Sequence, residues 1–182
     1  MNARTILWRR LDQTGLEVAR LEEHPSGWSF TGTVIVVNEG TPCAFTYAVV
    51  CDSSWRTVEA SIRGTVGEEF VNVSVESHGR QWLRNGEAQP QVAGCIDVDI
   101  AFTPATNTLP IRRLRIPIGQ SVPVTAAWLR FPDFALVPLE QSYTRERANV
   151  YRYESGGGSF AARIDVDDLG LVRQYGQIWR AE

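Results

Sequence analysis

The sequence predicts a mainly β protein that folds as one domain over residues 1–182 and contains one short α-helix. Apolar residues alternate with polar or small ones along most of the chain, which is the period of a strand with one buried face. Turn-forming residues separate these segments about every 8–12 residues, the spacing of a large antiparallel sheet that is rolled or doubled. With 43% apolar and 21% charged residues, the chain has a globular composition.

The strands can be assigned in chain order from their patterns. Val34 to Val37 form a continuous apolar run, which predicts a strand covered on both faces. Residues 136–147 are assigned to a strand rather than a helix, because they contain Pro138 and the Tyr143-Thr144 pair. Three alternating segments are expected to bury their apolar faces, and they span residues 43–51, 71–75 and 160–166.

One segment breaks the two-residue period and is assigned to the helix. Thr103 before Pro104 looks like a helix start, since proline is tolerated in a first turn. Pro110 would cost about 3 kcal/mol in the interior of a longer helix. The predicted helix is therefore short or kinked and covers about residues 104–114.

The composition excludes several classes of chemistry. All 18 basic residues are arginine, so Schiff-base and P-loop lysine chemistry are excluded. Two histidines are too few for a multi-histidine metal centre, and neither a metal site nor a cofactor is predicted. A net charge of −3 argues against a nucleic-acid partner.

The cysteines and the hydropathy pattern predict a cytoplasmic protein without a membrane span. Residues 1–11 lack the apolar core of a secretory signal, and no apolar run is long enough to cross a bilayer. Cys43 and Cys51 would lie about 26 Å apart in one straight strand, too far for a disulfide. We therefore expect reduced, buried thiols.

Four motifs carry a resemblance to a known family. The stretch from Gly94 to Leu114 is distinctive and contains Asn-Thr-Leu-Pro-Ile-Arg-Arg-Leu at residues 107–114. The other motifs are Tyr47, Asp52, Trp55 and Thr57; then Gln141, Tyr143 and Thr144; then Asp167, Gly170, Leu171, Val172 and Tyr175. Together they resemble, over nearly the whole chain, the bacterial family described as "putative glycolipid-binding", formerly a domain of unknown function.

The resemblance implies a more specific fold and a ligand class. The fold would be a spiral β-roll, in which a long antiparallel sheet wraps around a single helix, and the protein would be a homodimer. The family's name implies a lipid or glycolipid ligand. That name rests on likeness to periplasmic carriers of lipoproteins and lipids, and likeness of fold is a weak basis for function.

Two aspartates are the first candidate site residues. Asp97 and Asp99 are two positions apart, so in a strand both carboxylates leave the same face about 6–7 Å apart. Such a pair can hold a cation, bind sugar hydroxyls, or act as acid and base. Alternatively, the two aspartates pair with arginines of the helix or of a neighbouring strand.

Arg112 and Arg113, preceded by Asn107, are the second group of candidates. Guanidinium groups bind phosphate or carboxylate headgroups through two parallel hydrogen bonds. The alternative is that the two arginines bind Asp97 and Asp99 and hold the helix in the roll, because buried charges must be paired.

The aromatic residues complete the candidate set. Six tryptophans are spread through the chain, at positions 8, 28, 55, 82, 128 and 179. Indoles stack on sugar faces and line acyl pockets, but evenly spread tryptophans also build a core. Trp55 is the preferred ligand-binding tryptophan because it lies beside Asp52 and Arg56, and Tyr143 joins it from the Gln-x-Tyr-Thr motif.

These observations leave three hypotheses for the function. The first is a non-catalytic protein that holds a lipid or glycolipid in or beside the roll, with Arg112, Arg113 and Asn107 at its polar end. The second is an interaction protein with a solid core that acts through its dimer surface. The third, which ranks last, is a hydrolase that uses Asp97 and Asp99.

Overall fold

A computed structural model of the chain describes residues 3–182, and across this range fifteen strands form one sheet. The strands are β1 (Ala3–Arg10), β2 (Gly15–His24), β3 (Gly27–Asn38), β4 (Thr41–Asp52), β5 (Thr57–Val66), β6 (Glu69–His78), β7 (Gln81–Arg84), β8 (Glu87–Ala88), β9 (Val98–Ile100), β10 (Ser121–Leu129), β11 (Leu136–Arg147), β12 (Val150–Ser155), β13 (Phe160–Val166), β14 (Val172–Tyr175) and β15 (Trp179–Ala181). The helix α1 spans Thr108–Leu114, and 3₁₀ turns span Pro90–Val92, Ala105–Asn107 and Gly156–Gly158.

The first and last strands lie side by side near the middle of the sheet. Trp8 of β1 is opposite Ala181 of β15, and Arg10 is opposite Trp179. From this central pair the sheet grows in two directions, through β2 to β8 on one side and through β14 to β9 on the other. Neighbouring strands are antiparallel except β9 and β10, which are parallel. Strands β1 to β8 and β10 to β15 therefore form two meanders, β9 adds to the second in parallel, and the sheet stays open at β8 and β9.

The segment between β9 and β10 fills the inside of the roll. Ten consecutive residues, 102–111, are buried, and we call this segment the plug. Thr103 of the plug bonds to side chains of β2 and β4, whereas Asn107 bonds to β11 in the other half of the sheet. The sheet therefore wraps around a short helical segment, and the predicted fold class is confirmed.

The predicted helix matches the plug closely. Helical structure begins with the 3₁₀ turn at Ala105–Asn107 and continues in α1 to Leu114. The change from 3₁₀ to α geometry places Pro110 in the first turn of α1, where its missing N–H costs no hydrogen bond. The helix ends at Arg115, which adopts a left-handed conformation with φ of 47°.

The alternating pattern is confirmed for the segment of residues 43–51, but not everywhere. In β4 the odd-numbered residues from Cys43 to Cys51 are all buried, and both cysteines are free thiols. The expectation that Val34 to Val37 are covered on both faces is wrong, because Ile35 is 61% exposed. The plug packs against the inner face only, so Ile35 projects outward. Phe160 at the start of β13 is likewise 37% exposed rather than buried.

The first part of strand β2 has the reverse of the polarity that its sequence suggests. Leu16 and Val18 are exposed, whereas Glu17 between them is completely buried. Leu16 lies opposite the exposed Ile35 of β3, and Val18 lies opposite the exposed Leu7 of β1. These four apolar residues, Leu7, Leu16, Val18 and Ile35, form what we call the outer patch.

Within residues 3–182, the structure contains no helix that is long and apolar enough to cross a membrane.

Candidate functional site

A cavity of about 240 Å³ lies between the plug and strands β9 to β15, with Arg10 of the central strand β1 at its wall. We call it the ring-lined cavity because five aromatic side chains form much of its wall, namely Trp128, Tyr153, Phe160, Tyr175 and Trp179. Asp99, Thr103 and Asn107 contribute polar groups from β9 and the plug. The cavity thus combines apolar ring surfaces with a small number of hydrogen-bonding groups, which is typical of a binding site.

Strands β10 to β15 on one side of the sheet bring these rings together. Trp128 comes from β10 and Tyr153 from β12, whereas Trp179 comes from β15 beside the central strand. Tyr153 packs edge-on against Tyr175, with ring centroids 5.9 Å apart. The guanidinium of Arg10 lies 5.3 Å from the centre of the Trp179 ring. The position of each ring is therefore set by its neighbours and not by a loop.

Asp99 is the acidic group of the ring-lined cavity. Its Oδ2 accepts a hydrogen bond of 2.6 Å from Gln141, and its Oδ1 accepts one of 3.3 Å from Thr106. Burial raises the pKa of Asp99 from 3.8 to about 6, although both hydrogen bonds act in the opposite direction. The carboxylate is thus ionised at neutral pH and held by neutral donors only.

Asn107 and Tyr143 form a second polar pair beside this cavity. The hydroxyl of Tyr143 donates a hydrogen bond of 2.9 Å to Oδ1 of Asn107, and Nδ2 of Asn107 donates to the carbonyl of Pro104 at 3.3 Å. Burial raises the pKa of Tyr143 well above its usual value, so its hydroxyl stays protonated. Tyr143 therefore orients the Asn107 amide that lines the cavity.

Asp97 has a different role from Asp99. It is 3% exposed, and its two carboxylate oxygens accept hydrogen bonds of 2.9 and 2.5 Å from Nε and Nη2 of Arg113. This bidentate pair ties α1 to the segment before β9. An acid–base mechanism that uses Asp97 with Asp99 is excluded by this geometry, because Asp97 is sealed and fully paired. The alternative of pairing with a helix arginine is correct for Asp97 but not for Asp99.

Arg112 and Trp55 contact each other rather than an aspartate. The Arg112 guanidinium lies 5.2 Å from the centre of the Trp55 ring, and Trp55 stacks on Trp28 at 4.5 Å. Trp55 is only 5% exposed, so it is packed inside the roll. Its backbone is in the left-handed region, with a φ of 64°. Nε of Arg112 is buried and has no hydrogen-bond acceptor within the described residues.

The seven predicted site residues lie in the plug or close to it, but they do not share one cavity. Asp99 and Asn107 line the ring-lined cavity, Arg113 lines a groove of about 400 Å³, and Arg112 lines a third cavity of about 250 Å³. Asp97, Tyr143 and Trp55 contact these lining residues from behind. That these seven residues bind a ligand stays a prediction, and Asp99 and Asn107 are the two that line the ring-lined cavity, with Tyr143 bonded to Asn107.

Glu17 is a polar residue of the interior that the sequence pattern missed. Its Oε1 accepts hydrogen bonds from the Tyr47 hydroxyl at 2.5 Å and from Thr103 at 2.6 Å. Burial raises the pKa of Glu17 to about 8, so the side chain is mostly protonated at neutral pH. Between Leu16 and Val18, a glutamate gives the pattern of a solvent-facing position, and no local signal indicates burial.

Among residues 3–182, no group of three or more histidine, cysteine, aspartate or glutamate side chains is arranged to hold a metal ion.

The chain is similar to known proteins in both sequence and fold. A sequence profile of the family described as "Putative glycolipid-binding" matches residues 5–181. The fold is similar to the crystal structure of a DUF1089 family protein from Pseudomonas aeruginosa, with a TM-score of 0.81 and 31% sequence identity. That alignment covers 90% of this chain and 91% of the other. A search of curated proteins finds no match.

Proposed function

Because the chain belongs to the family described as "Putative glycolipid-binding", we propose that it is a non-catalytic binding protein for an amphiphile with a sugar headgroup. The headgroup occupies the ring-lined cavity, and the apolar part of the amphiphile leaves it past Phe160, whose ring is partly exposed at the cavity wall. The proposal includes a cytosolic location, which the three free and buried cysteines support.

The observation that carries this proposal is the combination of five rings with one carboxylate and one amide in a single cavity. Sugar rings present apolar faces that stack on aromatic side chains, while their hydroxyls donate to carboxylates and amide oxygens. Asp99 has no cationic partner within 4.0 Å among residues 3–182, so its remaining lone pairs are available to hydroxyl donors.

The size of the cavity restricts what the protein holds. At about 240 Å³ it is smaller than the roughly 300–1,000 Å³ typical of sites that enclose a drug-sized ligand. The plug occupies the inside of the roll with ten consecutive buried residues. The cavity therefore suits one sugar ring, and the lipid chain lies beside the roll rather than inside it.

Replacing Trp128 with alanine is expected to weaken the binding of n-octyl β-D-glucoside about tenfold, since the headgroup loses a stacking surface. Isothermal titration calorimetry below the critical micelle concentration measures this affinity. Trp28→Ala is the matched control, because Trp28 is also a half-buried tryptophan but stacks on Trp55 outside the cavity. Equal affinities of the two variants would contradict the proposal.

A detergent with the same chain and a different head separates sugar recognition from general hydrophobic binding. The octyl ether of tetraethylene glycol shares the eight-carbon chain but lacks the sugar ring. The proposal expects binding of the glucoside and no measurable binding of the ether. Equal binding of both would show that the cavity does not recognise the headgroup.

We also propose that the protein is a homodimer that forms through the outer patch. The patch joins apolar side chains of three neighbouring strands on the face away from the plug. Exposed apolar clusters on a sheet are typical of interaction surfaces, and a two-fold dimer would place the same patch on both partners.

Replacing Ile35 with glutamate is expected to convert this dimer into a monomer, because it places a charge within the apolar contact opposite Leu16. Sedimentation equilibrium measures the mass in solution. Val58→Glu is the matched control. Val58 is, like Ile35, an exposed β-branched apolar residue of a strand, but it lies on β5 outside the patch. A wild-type monomer, or a dimer that survives Ile35→Glu, would contradict the proposal.

The filled interior of the roll favours one alternative function, an interaction protein that acts through the outer patch alone. The experiments above distinguish it from the binding protein. If Ile35→Glu dissociates the dimer while n-octyl β-D-glucoside does not bind, the interaction protein is the better description.

A further inference from the structure

Three arginines line a cavity of about 250 Å³ at the C-terminal end of α1. We propose that this arginine cavity, defined by Arg112, Arg115 and Arg145 with Asn149 and Tyr151, is a binding site for a phosphate group. The residues that line it differ from those of the ring-lined cavity, so the site is independent of the sugar site proposed above.

The first argument is that none of the three guanidinium groups has a carboxylate partner. Within residues 3–182, no carboxylate oxygen lies within 4.0 Å of a side-chain nitrogen of Arg112, Arg115 or Arg145. Elsewhere in the structure, arginines pair readily, as Arg113 does with Asp97 and Arg163 with Asp165. Three unpaired cations therefore converge on one cavity, which is electrostatically costly unless an anion or solvent offsets them.

The second argument is that Arg112 is held in place with an unused donor. Its aliphatic stem packs so closely on Gly170 that a Cβ there would lie 2.9 Å from Cδ of Arg112. Its Nε is buried without an acceptor, an arrangement that costs about 1–3 kcal/mol. The terminal nitrogens of Arg112 are not buried in this way and have no acceptor among residues 3–182, so they are the donors that meet an oxyanion in the cavity, and guanidinium donors match the oxygens of phosphate.

The third argument is that Arg145 is positioned before any ligand arrives. Its Nη1 donates to the carbonyl of Ile116 at 3.0 Å, and its Nη2 donates to the carbonyl of Ala148 at 2.6 Å. Its guanidinium also lies 5.7 Å from the centre of the Tyr151 ring. Arg115, by contrast, is exposed and its guanidinium has no hydrogen-bond partner within the described residues. Arg112 and Arg145 are thus held in place at the cavity wall, whereas the exposed side chain of Arg115 can turn toward a bound anion.

The acidic residues of the cavity do not neutralise it. Oδ1 of Asp167 accepts the backbone N–H groups of Leu169 and Leu171, both at 2.9 Å. Oδ1 of Asp168 accepts a hydrogen bond of 3.1 Å from Asn149. These bonds hold the two carboxylates on the turn before β14. Three guanidinium groups against two carboxylates leave an excess of positive charge, which a phosphate would balance.

A phosphate can come from free inorganic phosphate or from a lipid headgroup, and two assays separate these sources. Isothermal titration calorimetry with inorganic phosphate tests the free anion. Co-sedimentation with vesicles of phosphatidylcholine, with and without phosphatidic acid, tests the lipid headgroup. Binding in either assay supports the shared chemistry and identifies the source.

Arg115→Gln is the deciding variant, because Arg115 is exposed and its loss leaves the packing of the roll unchanged. The affinity for phosphate or for phosphatidic acid vesicles is expected to fall at least about tenfold, the loss of one charge-assisted contact. Arg173→Gln is the matched control, since Arg173 is also exposed but lies on β14 away from the cavity. The control should bind like the wild type.

A second variant probes the fixed part of the site. Arg112→Lys keeps the positive charge but removes the planar fork, and we expect it to weaken phosphate binding as well. Circular dichroism melting verifies that each variant is folded. The proposal is overturned if neither phosphate nor phosphatidic acid binds, if Arg115→Gln binds like the wild type, or if Arg173→Gln loses as much affinity as Arg115→Gln.

Discussion

Replacing Glu17 with glutamine is expected to remove most of the pH dependence of stability between pH about 6 and 8. Burial raises the pKa of Glu17 from 4.5 in the unfolded chain to about 8 in the folded protein. The folded state therefore binds one more proton than the unfolded state in this interval, and the wild type loses stability as the pH rises. At about 1.4 kcal/mol per pKa unit, the loss from pH about 4.5 to 8 is on the order of 4 kcal/mol.

The sign follows from the buried environment of the side chain. Tyr47 of β4 and Thr103 of the plug face Glu17, and both donate hydrogen bonds that lower its pKa, but burial outweighs them. Asp99 contributes in the same direction at lower pH, because its pKa rises from 3.8 to about 6. The slope that remains below pH about 6 in Glu17→Gln is therefore assigned to the buried aspartates.

Urea unfolding at a series of pH values measures this effect. Below pH about 4.5, Glu17→Gln should be about as stable as the wild type, because the side chain at position 17 is then neutral in the folded and in the unfolded chain; above pH about 8 it should be the more stable protein. Glu22→Gln is the matched control on the same strand, since Glu22 faces outward and pairs with Arg20. If Glu17→Gln keeps the wild-type slope above pH about 6, the buried acid is not the cause.

Replacing Arg113 with alanine is expected to destabilise the protein by about 3–5 kcal/mol, because it leaves Asp97 buried without a cation. The pair is tight, with Nη2 of Arg113 2.5 Å from Oδ2 of Asp97, and both side chains are largely shielded from water. The deficit should shrink in acid, where Asp97 becomes protonated and neutral. Chemical unfolding of both proteins at neutral and acidic pH measures it.

Arg163→Ala is the matched control for this substitution. Arg163 also bonds to an aspartate, at 2.7 Å from Asp165, but that pair is exposed on the outer face of β13. Exposed pairs contribute only about 0–1 kcal/mol, so the control should be close to the wild type in stability. Equal losses in the two variants would contradict the structural role of Arg113. Binding of n-octyl β-D-glucoside should be retained by folded Arg113→Ala, because Arg113 lies outside the ring-lined cavity.

The two neighbouring arginines of α1 illustrate how far sequence reasoning can go at a site. The motif at residues 107–114 predicted that side chains of the helical segment make polar contacts with the rest of the fold, and Asn107 and Arg113 do so. It could not distinguish Arg112 from Arg113, because adjacent residues of a helix point about 100° apart and meet different parts of the fold. Arg113 reaches Asp97, whereas Arg112 lies over Trp55 and lines the arginine cavity.

The ring-lined cavity was still less accessible to prediction. Trp128, Tyr153, Tyr175 and Trp179 lie on four different strands, and nothing local to any of them signals a ligand site. They share a wall because β10 to β15 are successive neighbours in a sheet that curls around the plug. Contacts of this kind between residues far apart in sequence leave no local pattern.

The mainly β class, the position of the short helix and the inward row of β4 can all be predicted without a structure, because each depends on local periodicity or on proline. Which face of β2 is buried depends instead on contacts between distant parts of the chain. Leu16 and Val18 lie on one face of β2 and Ala19 and Leu21 on the other, so the local pattern does not decide between the faces, and Leu16-Glu17-Val18 suggests an outward glutamate. The hydroxyl groups of Tyr47 and Thr103 donate hydrogen bonds to Glu17 in its inward position. Burying a protonated, hydrogen-bonded acid costs much less free energy than burying a charged one. The packing of the plug against the sheet likewise gave different partners to Arg112 and Arg113 and to Asp97 and Asp99.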